Sequence, residues 1–211
     1  MTTHTTHTTQ PATDSTTLSA RLAEFALDCA VDLPARIAED SLARITDTVG
    51  VSIAAMDTEP VQAALRLARE WGGAAQATVL GFGDQVPAPT AALVNGTAAH
   101  ALDFDDTHLP SILHPSASVV PASIAAAELA RADGRTLLAA VAAGNEIAIR
   151  LGNGGDNPEL GNNEFFERGL HATSICGAIG SAVAAAIAMG LDQDTTQHAY
   201  LRPVKTWLRW L

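Results

Sequence analysis

The run Ala172–Gly190, ATSICGAIGSAVAAAIAMG, carries no charged residue, and a globular chain has to put such a segment inside. It nearly reaches the length of a membrane span. Its alanine, glycine and serine content makes it only mildly hydrophobic, however, and no basic flank anchors it. The run therefore predicts a buried helix whose small side chains let neighbouring helices come close.

The rest of the chain is compatible with that interior. Leu18–Val31 reads as an amphipathic helix, with Leu22, Phe25, Ala26 and Cys29 at helical spacing. Pro34 stands near the start of a second helix to about Met56, striped by Ile37, Leu42, Ile45, Val49 and Ile53. Pro60 opens a third helix to Trp71, closed by Gly72-Gly73. A fourth is expected from about Thr90 to Phe104, a fifth over Ser116–Ala132 interrupted by Pro121, and a sixth over Thr136–Leu151. Residues 152–163 form a loop of Gly, Asn and Pro, Phe165–Gly190 leads into the small-residue helix, and Asp192 is the N-cap of another. Ala77–Phe82 is the only convincing extended segment. The fold class is all-α, a multi-helix domain with at most a minor extended element.

Both ends read differently. Residues 1–17 are a Thr-rich polar leader expected to be disordered, without the apolar core of a secretory signal. His4 and His7 within it read as solvated. Residues 201–211, LRPVKTWLRWL, hold the chain's only lysine, Lys205, and Trp207 and Trp210. A helix begun at Asp192 also meets Pro203, where proline is disfavoured. This divergent tail predicts a change of reading frame near Tyr200 and a truncated domain over 18–200.

The net charge of −11 argues against nucleic acid or an anionic membrane as partner. Cys29 and Cys176 match neither a zinc spacing nor a disulfide framework, so free buried thiols in a reducing cytoplasm are expected. Asn95-Gly96-Thr97 and GNGGD at 152–156 are coincidental matches to a glycosylation triplet and a phosphate loop.

The chemistry concentrates in His100–Pro115, HALDFDDTHLPSILHP. It gathers His100, His108 and His114, Asp103, Asp105 and Asp106, and Thr107 between apolar helical stretches. If the fourth helix continued one turn, His100, Asp103 and Thr107 would share a face, with Asp105 and Asp106 against the helix C-terminus. Like charges so close repel one another, and an arrangement that costs stability twice points to a functional cause. The plain alternative is that Asp105 and Asp106 are solvated loop residues and Asp103 a cap. A metal site is the rival chemical reading, but the spacing is not H-E-x-x-H and no second Asp-rich segment exists. A second place of interest is Arg168-Gly-Leu-His171. His171 stands at the start of the small-residue helix and Arg168 could pair with a carboxylate. Taken alone, a histidine there is more often a cap or core residue.

The stretch ATVLGFGDQVPAPTAALVNGTAAHALDFDDTHLPSILHPSASVVPASIAAAE, followed by RGLHATSICGAIGSAVAAA, resembles the MmgE/PrpD family of 2-methylcitrate dehydratases and cis-aconitate decarboxylases. The similarity runs from about Leu18 to Ala199. It implies the N-terminal part of an α-helical domain, lacking the family's smaller α/β lid, usually a homodimer and without a cofactor. It further implies a lyase or epimerase that moves a proton next to a carboxylate of a di- or tricarboxylic acid, with loss of water or CO₂ or with inversion. Carried over by motif, Asp103, Thr107, His114 and His171 fall at active-site positions. His114 and His171 are then acid–base groups, one of which Asp103 could orient, while Thr107, Arg168 and His108 are candidates for holding substrate. No metal is implied. The family's later lysine and the lid have no counterpart here, which implies an impaired activity. Two other readings stand beside this one: a non-catalytic helical dimerisation module, and a metal-dependent hydrolase using the His/Asp cluster.

Overall fold

A computed structural model of the chain describes residues 17–159 and 161–199. Helix α1 is Leu18–Val31, started by Thr17, whose Oγ1 accepts from the amide of Ala20 at 3.2 Å. Helix α2 is Ala35–Ala54, following Pro34, and α3 is Glu59–Trp71. Gly72, at φ +58°, closes α3, a backbone angle that glycine adopts without a Cβ penalty.

The extended segment has a partner that its own composition did not announce. Strand β1, Ala77–Thr78, pairs antiparallel with β2, Gln85–Val86, with Ala77 opposite Val86. Arg69 of α3 clamps the turn through two 2.8 Å hydrogen bonds to Asp84. Asn95 holds the same hairpin from below: it accepts from the amide of Leu80 and donates to the carbonyl of Thr78, both at 2.9 Å. The asparagine of the glycosylation-like triplet is thus buried and used.

Helix α4, Ala88–His100, stops one turn short of the expected Phe104. The chain leaves the helix where three of the next six residues are aspartates, and Asp103 takes a left-handed backbone at φ +51°. A short 3₁₀ turn over Leu109–Ser111 follows. Helix α5, Pro115–Ala130, runs through Pro121 without a break, contrary to the interruption expected there. Helix α6 is Gly134–Asn153, capped by Asp133, which accepts from the amide of Thr136 at 2.8 Å. The glycine-rich loop after it contains a two-residue pairing of β3, Asp156–Asn157, with β4, Asn162–Asn163. One turn of helix, α7, Glu164–Glu167, precedes α8, Ala172–Ala188, so the expected Phe165–Gly190 unit is two helices. A last helix, α9, covers 193–199 behind Asp192, whose Oδ1 accepts from the amide of Thr195 at 2.8 Å.

The core lies where α5, α6 and α8 meet, with α1 laid across it. Val119, Ala143, Ile147, Val183 and Ala184 are wholly buried there beside Ala23 and Ala26 of α1. A Cβ placed on Gly144 of α6 would stand 2.8 Å from the carbonyl oxygen of Gly180 in α8, and one on Gly180 would stand 2.5 Å from that of Gly144. The two backbones touch, which only glycine permits. The small-residue run is therefore what packs the interior. A second cluster joins α3, the β1–β2 hairpin and α4 through Leu65, Val79, Val86, Ala91 and Val94. The domain is all-α apart from two short strand pairs among the described residues, and none of its described helices is long and apolar enough to cross a membrane. The leader through residue 16, and 200–211 with Lys205, lie outside the described residues.

Candidate active site

The segment from the end of α4 to the start of α5 is a folded loop. The backbone of His108 pairs with that of Leu113, donating to its carbonyl at 2.9 Å. Leu113 is 1% exposed and packs on Ala148, Ala172 and Cys176, which anchors the loop to α6 and α8. His108 Nδ1 accepts from the amide of Ser111 at 3.3 Å and lies 2.7 Å from its Oγ. The recorded contacts of this imidazole are inside the loop, so His108 braces it.

Asp106 fixes the loop from the other side. Its Oδ1 accepts from the amide of Ser116 at 3.0 Å and its Oδ2 from the Ser116 hydroxyl at 2.7 Å, in the first turn of α5. Negative charge at a helix N-terminus is favourable. Arg44 of α2 donates to the same Oδ2 at 2.6 Å and, through Nε, to Asp40 at 2.7 Å. Burial pulls the Arg44 guanidinium down, but these two carboxylates outweigh it and hold it above its ordinary value. Neither Arg44 nor this role of Asp106 was foreseen, because the sixty-odd residues between them leave no local pattern.

Asp105 is the centre of the cluster. Its side chain is 1% exposed, and its carboxylate lies 3.0 and 3.1 Å from His100 Nδ1 and 3.6 Å from His114 Nδ1. The two imidazoles stand with ring centroids 5.3 Å apart, His114 at 24% and His100 at 43% side-chain exposure. Thr107 Oγ1 is 3.4 Å from His114 Nδ1. Asp103, exposed, brings a carboxylate oxygen into the same group, in which one donor atom from each of His100, Asp103, Asp105 and His114 lies within 4.8 Å of all the others. The carboxylate that faces the imidazoles of His100 and His114 at 3.0 and 3.6 Å is thus that of Asp105, one of the two aspartates that sequence alone also allowed as solvated loop residues, while Asp103 joins the group from its exposed side. Burial decides between them, and alternation of residues in a loop gives no sign of burial.

His114 also joins two helix ends. It is the N-cap of α5, and its amide donates to Thr173 Oγ1 in the first turn of α8 at 3.2 Å. His171 is the N-cap of α8, exposed, with Nδ1 3.2 Å from Ser174 Oγ. No hydrogen bond among the described residues links His171 to Asp105 or His114; it stands at the neighbouring helix end. Arg168, the C-cap of α7, is exposed and pairs with Glu164 of that helix at 3.2 Å, and no hydrogen bond or ion pair among the described residues links it to the cluster. Beside His100 opens a mostly apolar groove of about 670 Å³ between α4, α5 and α8, with Leu93, Ala122 and Ala178 along it and Thr173 and Ser174 at the same end as the cluster. Ser181, also on its wall, keeps a buried hydroxyl without a partner among the described residues.

Residues 20–201 match the MmgE/PrpD N-terminal domain. The chain is 34% identical over 169 residues to cis-aconitate decarboxylase of Homo sapiens, covering 78% of this chain and 34% of that protein. It is 32% identical over 160 residues to the Mus musculus protein of the same name, covering 74% and 32%. A cis-aconitate decarboxylase of Aspergillus terreus is 30% identical over 126 residues, 57% of this chain and 25% of that one. The chain thus spans about a third of the length of the first two of these relatives.

Proposed function

Since the chain belongs to the MmgE/PrpD family, we propose that the His100–Asp105–His114 cluster is the acid–base part of a lyase site acting on a tricarboxylic acid. The observation that carries this is a buried carboxylate facing two imidazoles through their Nδ1 atoms. A carboxylate hydrogen-bonded at Nδ1, as at His100, fixes the tautomer that leaves the Nε2 lone pair free, the arrangement a general base requires, and at His114 the same carboxylate at 3.6 Å and the Thr107 hydroxyl at 3.4 Å both face Nδ1 and favour it. His114 Nε2 is then the atom that takes a proton next to a substrate carboxylate, and His171 is the second acid–base group. Loss of water or CO₂, or inversion, follows from where the proton returns.

The negative charge of the substrate finds two helix N-termini at the site, those of α5 and α8, bridged by the contact of His114 with Thr173. Helix N-termini favour carboxylates because their first amides point outward and the dipole is positive there. Thr107 adds a hydroxyl beside His114. The relatives named as cis-aconitate decarboxylases support an unsaturated tricarboxylic acid as the substrate class. A homodimer is part of the same proposal.

The test is incubation of the purified chain with cis-aconitate and with 2-methylcitrate, followed by product analysis by NMR, beside His114→Ala and Asp105→Asn. Removal of a general base costs about a hundredfold or more, so both variants should fall by at least that factor while keeping their helical circular dichroism. Equal turnover in His114→Ala and the unchanged protein, or no turnover at all, overturns the reading. In the second case the non-catalytic dimerisation module becomes the better account, as favoured by the exposure of Val31 and Leu42 at 81% and 56%.

A further inference from the structure

We propose that the cluster of His100, Asp103, Asp105 and His114 is also a binding site for a zinc-type divalent ion, and that the ion silences the acid–base groups. The donor set is two imidazole nitrogens and two carboxylates, which suits Zn²⁺ and its neighbours in the first transition row. The spacing suits it as well. Four donors at ~2.0–2.1 Å around a tetrahedral ion stand ~3.3 Å from one another. The carboxylate of Asp105 already lies 3.0 Å from His100 Nδ1 and 3.6 Å from His114 Nδ1, with Asp103 inside the same 4.8 Å group.

Three further features favour a cation at this place. Asp105 is a buried carboxylate whose recorded polar side-chain contacts run only to the two imidazoles. A buried anion without a fixed positive partner is costly. Arg44, which reaches the adjoining Asp106, is committed to Asp40 and Asp106, and among the described residues no arginine forms an ion pair with Asp103 or Asp105. Asp103, on a left-handed backbone at φ +51° that aspartate readily adopts, brings a second carboxylate into the same group.

The ion would act on catalysis through the tautomer. In the metal-free site a proton on Nδ1 of His114, the atom that faces Asp105 and Thr107, leaves the lone pair on Nε2. With the ion bound, Nδ1 gives its lone pair to the metal and the ring proton moves to Nε2, so the imidazole stays neutral but loses its base. The silencing therefore rests on the acid–base reading above, whereas the binding does not.

The experiment is calorimetric titration of the chelator-stripped chain with ZnCl₂, paralleled by Co²⁺ titration read from its visible d–d absorption. The expected result is one equivalent bound, weakened at least tenfold in Asp105→Asn and in His100→Gln. His100 is 43% exposed on its side chain, so the second variant keeps the test sound should the first fail to fold. Binding is expected to persist in His198→Ala and in a His4→Ala/His7→Ala leader variant. The proposal is overturned by absence of stoichiometric binding, by binding that survives both cluster variants, or by binding that disappears with the leader histidines. Turnover without zinc binding sinks this inference alone. Zinc binding without turnover sinks the lyase reading and leaves the site.

Discussion

Asp103, Asp105 and Asp106 lie within four residues and meet three different surroundings. Asp105 is enclosed by imidazoles, Asp106 by Arg44 and the first turn of α5, and Asp103 is open to water on a left-handed backbone. The presence of a reactive cluster was legible in the string HALDFDDTHLPSILHP, since six ionisable groups between apolar helices demand partners. Which aspartate does what was not, because Arg44 reaches Asp106 from another helix and Leu113 anchors the loop on α6 and α8, contacts set by tertiary packing. Cys176 gives a residue-scale test of that packing. Burial pushes its thiol from 9.0 up to about 11. The folded protein thus keeps a proton that the unfolded chain gives up earlier. The resulting stability is fully present below pH 9 and is lost as the pH rises through about 11. Denaturant unfolding across that window should show a steeper alkaline decline for the unchanged protein than for Cys176→Ala, and parallel declines would refute it. At neutral pH iodoacetamide should reach Cys29, which is half-buried and also raised by burial and then by Asp28 and Glu146, before it reaches Cys176.

At the scale of elements, the helices were legible wherever a stop or start signal is local. Asp192 caps, Gly72 terminates, and the first helix runs over the predicted residues, although its cap is Thr17, a residue that the sequence assigns to the leader. Misreadings came where the deciding contact is remote. Pro121 stays inside α5 because that helix is packed on both sides by α4 and α8, and the partner of Ala77–Thr78 is a strand of two residues with no pattern of its own. The crossing of α6 and α8 is the element contact with the most definite consequence. Gly180→Ala adds helix propensity worth about 1 kcal/mol, but its methyl meets the carbonyl of Gly144 at 2.5 Å, the side chain of Ala148 at 3.1 Å and that of Val119 at 3.2 Å. Backbone cannot yield as a side-chain tip can, and overpacking costs about 1–3 kcal/mol. The variant should melt several degrees lower by circular dichroism; an unchanged or higher midpoint would mean the helices are farther apart than described. Gly50, with nothing within 4 Å of its added methyl, is the control that should gain stability.

On the scale of the whole molecule, two tendencies oppose one another. The net charge of −11 on 21.8 kDa repels other copies, while Phe104, Leu109, Val31 and Trp71 hold apolar side chains at 79%, 79%, 81% and 63% exposure. Scattered exposed leucines need no explanation, but large side chains this open on one small domain favour association. The homodimer proposed above therefore has a direction of salt dependence. Repulsion between like-charged copies acts over about 30 Å at 0.01 M salt and about 3 Å at 1 M, whereas apolar contact is not weakened by salt. Sedimentation equilibrium should accordingly show the dimer strengthening several-fold from low to high ionic strength. An association held by ion pairs between copies would show the reverse, and a mass that stays at 21.8 kDa under both conditions would remove the homodimer from the proposal. The acidic groups Asp28, Asp32, Asp40 and Glu146 around the groove of about 720 Å³ between α1, α2 and α6 add to the low-salt repulsion if that face is the one covered. Neutralising Asp28 and Asp32 together, both to Asn, should then reduce the salt effect, and an unaltered salt dependence would place the contact elsewhere on the domain.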